Sequence, residues 1–199
     1  MVRSFLKDAS APAFAARPHG PERKPDMLIE IARSQLLIID VQERLAAAMH
    51  DKDAMVQNCG RLLEAARLAG VPVTISEQYP QGLGETVAPL QEKAEGVVRL
   101  AKAEFSCIRN EPIRAALRAH SRPHLILCGI EGHVCVLQTA IEAKADGYDV
   151  FVAIDATASR RPESREIAIH RLTAAGVQVV TTEMVVFEWI GSAASPHFK

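Results

Sequence analysis

Gln35-Leu36-Leu37-Ile38-Ile39-Asp40 is an unbroken apolar run that ends in a carboxylate. So short a run, with no polar alternation, suits a strand covered on both faces, as in a parallel sheet. The pattern repeats outward from it. Residues 54–68 carry apolar side chains at helical spacing and stop at Gly70, and residues 71–75 read as the next strand. Further strands are predicted over 97–101, 125–128, 150–154 and 177–180. Helices are predicted over 113–119, 136–145 and 164–175, the last two closed by Gly147 and Gly176. This alternation predicts an α/β fold: a three-layer, doubly wound, mostly parallel six-stranded sheet with helices on both faces. Residues 26–199 form one domain in this reading. Residues 1–25 carry Pro12, Pro18, Pro21 and Pro25 without an apolar period, and read as an irregular N-terminal extension.

The chain has 199 residues, enough for one substantial core. A net charge of -1 gives no field to attract nucleic acid or anionic lipid. No apolar stretch approaches the roughly 18 residues of a membrane span. The four cysteines match no zinc spacing, and the chain needs no staples, so free thiols in the reducing cytoplasm are expected. The N-terminal stretch holds Arg and Ala but only two acids, which keeps an organellar transit peptide as the alternative to an irregular arm.

In an open parallel sheet, ligands bind beyond the carboxyl ends of the strands, at the switch in strand order. Three such ends carry residues that do chemistry together. Asp40 closes the first strand, Lys102 follows the third, and Cys135 follows the fourth in Gly129-Ile130-Glu131-Gly132-His133-Val134-Cys135. A helix opening at Cys135 would aim unpaired N–H groups at the thiol, and a nearby ammonium would add to them, both favouring thiolate. A carboxylate within reach takes the thiol proton and returns it to a leaving amine. Each residue also has a plain reading: a helix cap for the Asp, a solvated charge for the Lys, a small core side chain for the Cys. Their common place at one sheet edge gives the functional reading its weight.

These segments resemble the isochorismatase-like cysteine hydrolases, in particular the isochorismatase domain-containing subgroup. The resemblance rests on LLIIDVQERL around Asp40, SEQYPQGLGETV from Ser76, KAEFSCI from Lys102, GIEGHVCVLQTAIEA around Cys135, GYDVFVAIDATASR from Gly147 and the TTEMVVFEWI tail. It implies Cys135 as nucleophile, Asp40 as proton acceptor and Lys102 as electrostatic partner. It also implies a non-proline cis peptide just before Glu131, with the backbone N–H groups of Glu131 and Cys135 as an oxyanion hole. Metal-dependent nicotinamidases of the superfamily carry histidines after the first strand, whereas residues 51–84 contain none. No metal and no cofactor are therefore expected. Enzymes that cleave isochorismate itself act on a vinyl ether and need no thiol, so Cys135 favours an amide, imide or related acyl substrate. The resemblance further implies a homo-oligomer, with the apolar stretch 184–190 as a contact.

Gln78, Tyr79, Phe105, Ile130 and Val134 are candidates to line a pocket for a small-molecule substrate; turn packing and core filling are their plain alternatives. His133 lies two residues before Cys135, a spacing that points the two apart on a helix, so it reads as structural or pocket-lining. Cys107, near Lys102 and read as partly exposed, is the rival reactive thiol. Asp155 reads as a cap for the turn 156–159. Arg160, Arg161 and Arg165 interleave with Glu163 and Glu166 and read as a solvated helix start. Two other classes compete with hydrolysis: a non-catalytic oligomeric scaffold that kept the fold, and a redox-active thiol protein, for which no resolving cysteine lies close to Cys135 in sequence.

Overall fold

The computed structural model describes residues 28–195 and Phe198, so the extension expected over residues 1–25 lies outside the described residues. Strand β1 (Ser34–Ile39) leads through α1 (Glu43–Ala46) and α2 (Lys52–Leu68) to β2 (Val73–Gln78). Short helices α3 (Pro80–Leu83) and α4 (Ala88–Gln91) precede β3 (Val98–Lys102), and α5 (Glu111–Ala119) precedes β4 (His124–Ile130). A π-helical turn (Gly132–Val136) runs into α6 (Leu137–Ala145), followed by β5 (Asp149–Ala158), α7 (Pro162–Ala174), β6 (Gln178–Val180) and α8 (Thr182–Ile190). The sheet order is β3-β2-β1-β4-β5-β6 and every pairing is parallel. The order reverses between β1 and β4, so this α/β sheet has its switch point there.

Alternation along β1 shows why the run had to be apolar throughout. Leu36 and Ile38 face the core shared with Met55, Leu62 and Leu63 of α2 and with Val185 and Trp189 of α8. Leu37 and Ile39 face the opposite core, with Ile113 and Leu117 of α5, Leu137 and Ala140 of α6, and Leu172 of α7. Each side chain of β1 is fully buried. The two cores are the two faces of one sheet, and each removes a separate set of helices from water.

Two local readings change. Strand β5 runs to Ala158 because it bulges: Leu127 pairs with Val152 but Gly129 pairs with Thr157. The Thr157 hydroxyl donates to the Ala153 carbonyl across the bulge at 2.9 Å. Asp155 therefore caps no turn at 156–159. Its carboxylate instead accepts from the Thr182 amide (2.7 Å) and hydroxyl (3.0 Å), fastening the start of α8. The apolar tail is itself helical, with Thr181 capping it through the Met184 amide at 3.2 Å and Trp189 donating to Ser34 at 3.0 Å.

Candidate active site

The chain turns sharply where β1 ends. Asp40 takes a left-handed φ of 53° while its N–H donates to the Ser76 carbonyl at 3.0 Å, so the carboxylate is set above the ends of β1 and β2. Beside it, Gly129 on β4 has φ 112°, and a Cβ there would stand 2.1 Å from the Ile39 carbonyl oxygen. Only glycine lets the two strands meet at this point. The close approach brings the segment after β4 over the end of β1.

Lys102 is the last residue of β3, with β2 between it and β1, and its long side chain crosses that strand end. Its ammonium donates to Asp40 Oδ2 and to Gln78 Oε1, both at 2.6 Å, and lies 3.1 Å from the Glu104 carbonyl and 3.3 Å from that of Phe105. Neither the Lys102 nor the Asp40 side chain has exposed surface. Asp40 Oδ1 accepts from the Ser76 hydroxyl at 2.8 Å. Burial pushes the Asp40 carboxyl above the usual carboxylate range, against the pull of Lys102, Ser76 and the Cys135 thiol. Burial also works against the Lys102 ammonium, but the Asp40 charge, with Cys107 and Cys135 adding to it, outweighs that effect, and the lysine lies above its ordinary value. With Nζ in direct contact with Oδ2, Asp40 is held against a cation, and its raised pKa makes its carboxylate a stronger base than a solvated aspartate.

Cys135 sits inside the π-helical turn. The Glu131 carbonyl accepts from Val134 N–H (3.0 Å) and from Val136 N–H (3.2 Å), two bonds that bracket Cys135 and use neither its N–H nor its sulfur. The Ile130–Glu131 peptide is cis. The Cys135 thiol lies near enough to Asp40 and Lys102 for each to act on the other's protonation, so the three residues share one site at the switch point. The expected thiolate is not favoured, however. Burial first and the Asp40 charge second push the thiol up to about 12, against the opposing influence of Lys102. The thiol lies within a tight turn, 6% exposed, and faces a carboxylate as well as an ammonium. It rests as a thiol and can lose its proton only to a base placed against it.

The remaining candidates divide. Gln78 belongs to the cluster through Lys102, and its side-chain amide also donates to the Ala103 carbonyl at 2.7 Å. Tyr79 and Phe105 are largely exposed and flank the lysine through their backbones: Tyr79 N–H donates to the Lys102 carbonyl and the Phe105 carbonyl faces Nζ. Val134 is half-buried against the α5–α6 core, and Ile130 has no exposed surface and packs in the α2–α8 core. His133 makes no dyad with Cys135; its Nδ1 is 3.0 Å from the Ser159 hydroxyl. Cys107 is fully buried rather than partly exposed, with its sulfur 3.5 Å from Ser76 Oγ and its thiol pushed by burial to about 11.

Sequence reading missed Ser76 as a site residue. Its signal was there in principle: register places it beside Ile39 in the middle of the sheet edge, where a buried hydroxyl needs a partner. Gln42 was also missed. It ties the β1 and β2 ends together, donating to the Gln78 (3.0 Å) and Gly84 (2.6 Å) carbonyls and accepting from Gln78 N–H (2.7 Å).

Residues 34–184 match the isochorismatase domain. The chain is 39% identical over 171 residues to isochorismatase domain-containing protein 2 of Pongo abelii, covering 83% of this chain and 80% of that one. Among solved structures it is similar to the MAR1 ribonuclease of Caenorhabditis elegans, with 35% identity, a TM-score of 0.81 and coverage of 86% and 88%. It is also similar to the YcaC gene product of Escherichia coli, described as an octameric hydrolase of unknown specificity. That match has 26% identity, a TM-score of 0.82 and 85% coverage of each chain.

Proposed function

The chain belongs to the isochorismatase domain family of hydrolases, and from that premise we propose that it cleaves a small amide, imide or related C–N bond through a thioester on Cys135. The observation that carries this reading is the single buried cluster of Asp40, Lys102 and Cys135. As the Cys135 sulfur attacks the carbonyl carbon, its proton passes to Asp40, which spares the buried site a free thiolate. The carbonyl oxygen becomes an oxyanion held by the N–H groups of Glu131 and Cys135. Asp40 then gives its proton to the departing nitrogen, the C–N bond breaks, and the thioester remains. Water, losing a proton to Asp40, attacks the thioester; the carboxylic acid leaves, and the proton returns to sulfur. Lys102 keeps Asp40 ionised and oriented between transfers, and Gln78 and Ser76 hold that pair in place. No cofactor or metal enters these steps.

The nematode relative's name supports a second reading, RNA cleavage. The cluster favours acyl transfer, since its one base is packed against a thiol rather than open to a polynucleotide. A vinyl ether substrate would leave the thiol idle, and a scaffold would need none of the three residues. The octameric E. coli neighbour, together with Met184 and Phe187 exposed on α8, supports a homo-oligomer. No helix among the described residues is long and apolar enough to cross a membrane.

The test is to incubate the protein with a panel of small amides, an RNA and isochorismate, and to quench for intact mass. An acyl adduct mapping to Cys135, and absent from Cys135→Ser, is expected. RNA cleavage or vinyl ether hydrolysis that survives Cys135→Ser would overturn the reading, and a protein that turns over nothing and forms no adduct would leave the scaffold.

A further inference from the structure

The mechanism above gives Cys107 no part, yet two hydrogen bonds link its thiol to the base. Cys107 Sγ lies 3.5 Å from Ser76 Oγ, and that hydroxyl donates to Asp40 Oδ1 at 2.8 Å. Both Ser76 and Cys107 are without exposed surface. The direction of each bond follows from the protons present. A carboxylate only accepts, so the single hydroxyl proton of Ser76 lies on Asp40, and towards Cys107 the hydroxyl oxygen can only accept. Cys107 must therefore donate. Burial first and the Asp40 charge second push its thiol to about 11, against the opposing influence of Lys102, so the proton is in place at neutral pH. Among the described residues no other group donates to Ser76 Oγ. The thiol is also fixed from behind. Cys107 opens a 3-10 turn (Cys107–Arg109), and its N–H donates to the Thr139 hydroxyl at 2.9 Å. Thr139 is on α6, about one helical turn after Cys135. The Ser106 hydroxyl caps the same short turn, accepting from Ile108 N–H at 3.3 Å.

From this geometry we infer that Cys107 is a positioning residue for the reaction: its thiol fixes the Ser76 hydroxyl on Asp40 and so sets how readily Asp40 takes the proton of Cys135. The inference rests on the hydrolase reading above. A hydroxyl that accepts one hydrogen bond donates a stronger one, because each bond polarises the next. Without the thiol, a buried hydroxyl oxygen would lack a donor, and the weakened Ser76–Asp40 bond would favour the ionised carboxylate less. Asp40 already faces Lys102 from β3, Ser76 from β2 and Cys135 from the π-helical turn. The turn after β3 adds Cys107, which makes no hydrogen bond to Asp40 itself and acts on its orientation only through Ser76. Asp40, Lys102 and Cys135 are the titratable groups that in turn act on, or are acted on by, the Cys107 thiol.

The experiment follows the side-chain carboxyl 13C resonance of Asp40 against pH in the full chain, which needs no substrate. Cys107→Ala, Cys107→Val and Cys107→Ser are compared with the parent and with Ser76→Ala. In Cys107→Ala and Cys107→Val the titration midpoint should rise, in the same direction as in Ser76→Ala but by less, since the Ser76 bond is weakened rather than removed. Cys107→Ser keeps a donor and should hold the midpoint near that of the parent. Once Ser76→Ala is present, Cys107→Ala should move it no further. A midpoint indifferent to Cys107→Ala and Cys107→Val, or one that Cys107→Ala still moves in the Ser76→Ala background, overturns the inference. Valine fills the space of the thiol, so Cys107→Val decides if Cys107→Ala does not fold. On an amide that is turned over, the acid limb should follow the midpoint and kcat should fall about threefold in Cys107→Val; a limb that stays in place overturns the role in the reaction. If the midpoint moves as expected but no amide is turned over, the chain from Cys107 to Asp40 stands and the hydrolase reading fails. If amides acylate Cys135 while the midpoint ignores Cys107, the hydrolase reading stands and the inference fails.

Discussion

Lys102 Nζ lies 2.6 Å from Asp40 Oδ2, joining residues at the ends of β3 and β1 in a site where neither side chain has exposed surface. A pair so buried gains little net stability over a matched apolar pair, because desolving both charges offsets most of their attraction. Breaking it is another matter, since one charge is left in a dry site with no counter-charge.

Asp40→Asn and Lys102→Met should therefore each destabilise the fold by about 3–5 kcal/mol, whereas Asp40→Leu combined with Lys102→Met should recover much of the loss. Urea unfolding measures this. Turnover should be absent in all three. A single variant as stable as the parent would show that the pair is not buried as described.

Alkylation of Cys135 should report a thiol rather than a thiolate. With the thiol pushed up to about 12, the thiolate fraction grows tenfold per pH unit, so the iodoacetamide rate should climb without levelling between about pH 7 and pH 10. Mass mapping should still find Cys135 labelled before Cys59, Cys107 and Cys128, which have no exposed surface. A plateau near neutrality, or earlier labelling of Cys107, would contradict the geometry.

The acid limb of activity should follow Asp40. It must be ionised to accept the thiol proton, and burial has raised its pKa, so activity should be lost on acidification at a higher pH than for a solvated aspartate. Ser76→Ala removes a hydrogen bond that favours the ionised form. The limb should then move further up in pH, with kcat reduced by about tenfold. A limb that stays in place in Ser76→Ala would remove Ser76 from the cluster.

Gly129→Ala should not yield a native fold, because its Cβ would stand 2.1 Å from the Ile39 carbonyl at a φ of 112°. Gly70→Ala is the control. It has positive φ but nothing within 4 Å, and should cost only about 1–2 kcal/mol. Circular dichroism and thermal melts distinguish the two.

Prolonged chelation should leave turnover unchanged. Among the described residues no group of three or more His, Cys, Asp or Glu side chains is arranged to hold a metal ion. Loss of activity restored by added zinc would overturn this.

The sequence by itself determined the sheet and the edge on which the chemistry-bearing residues fall. A strand buried on both faces must be apolar at every position, and helices that cover it must be amphipathic, so residues 35–40 and 54–68 betray their state locally. Asp40, Lys102 and Cys135 were legible for the same reason, since each ends or follows such a strand. Only the tertiary structure decided what surrounds them. Strand order is not written in any one segment, and it is the β1–β4 contact, made possible by Gly129, that turns residues 40 and 135 into neighbours. Protonation is likewise a property of the assembled site. Read along the chain, Cys135 opens a helix beside a lysine and ought to be a thiolate. Folded, it is desolvated and faces the Asp40 carboxylate, and those two effects outweigh the lysine and keep the proton on sulfur.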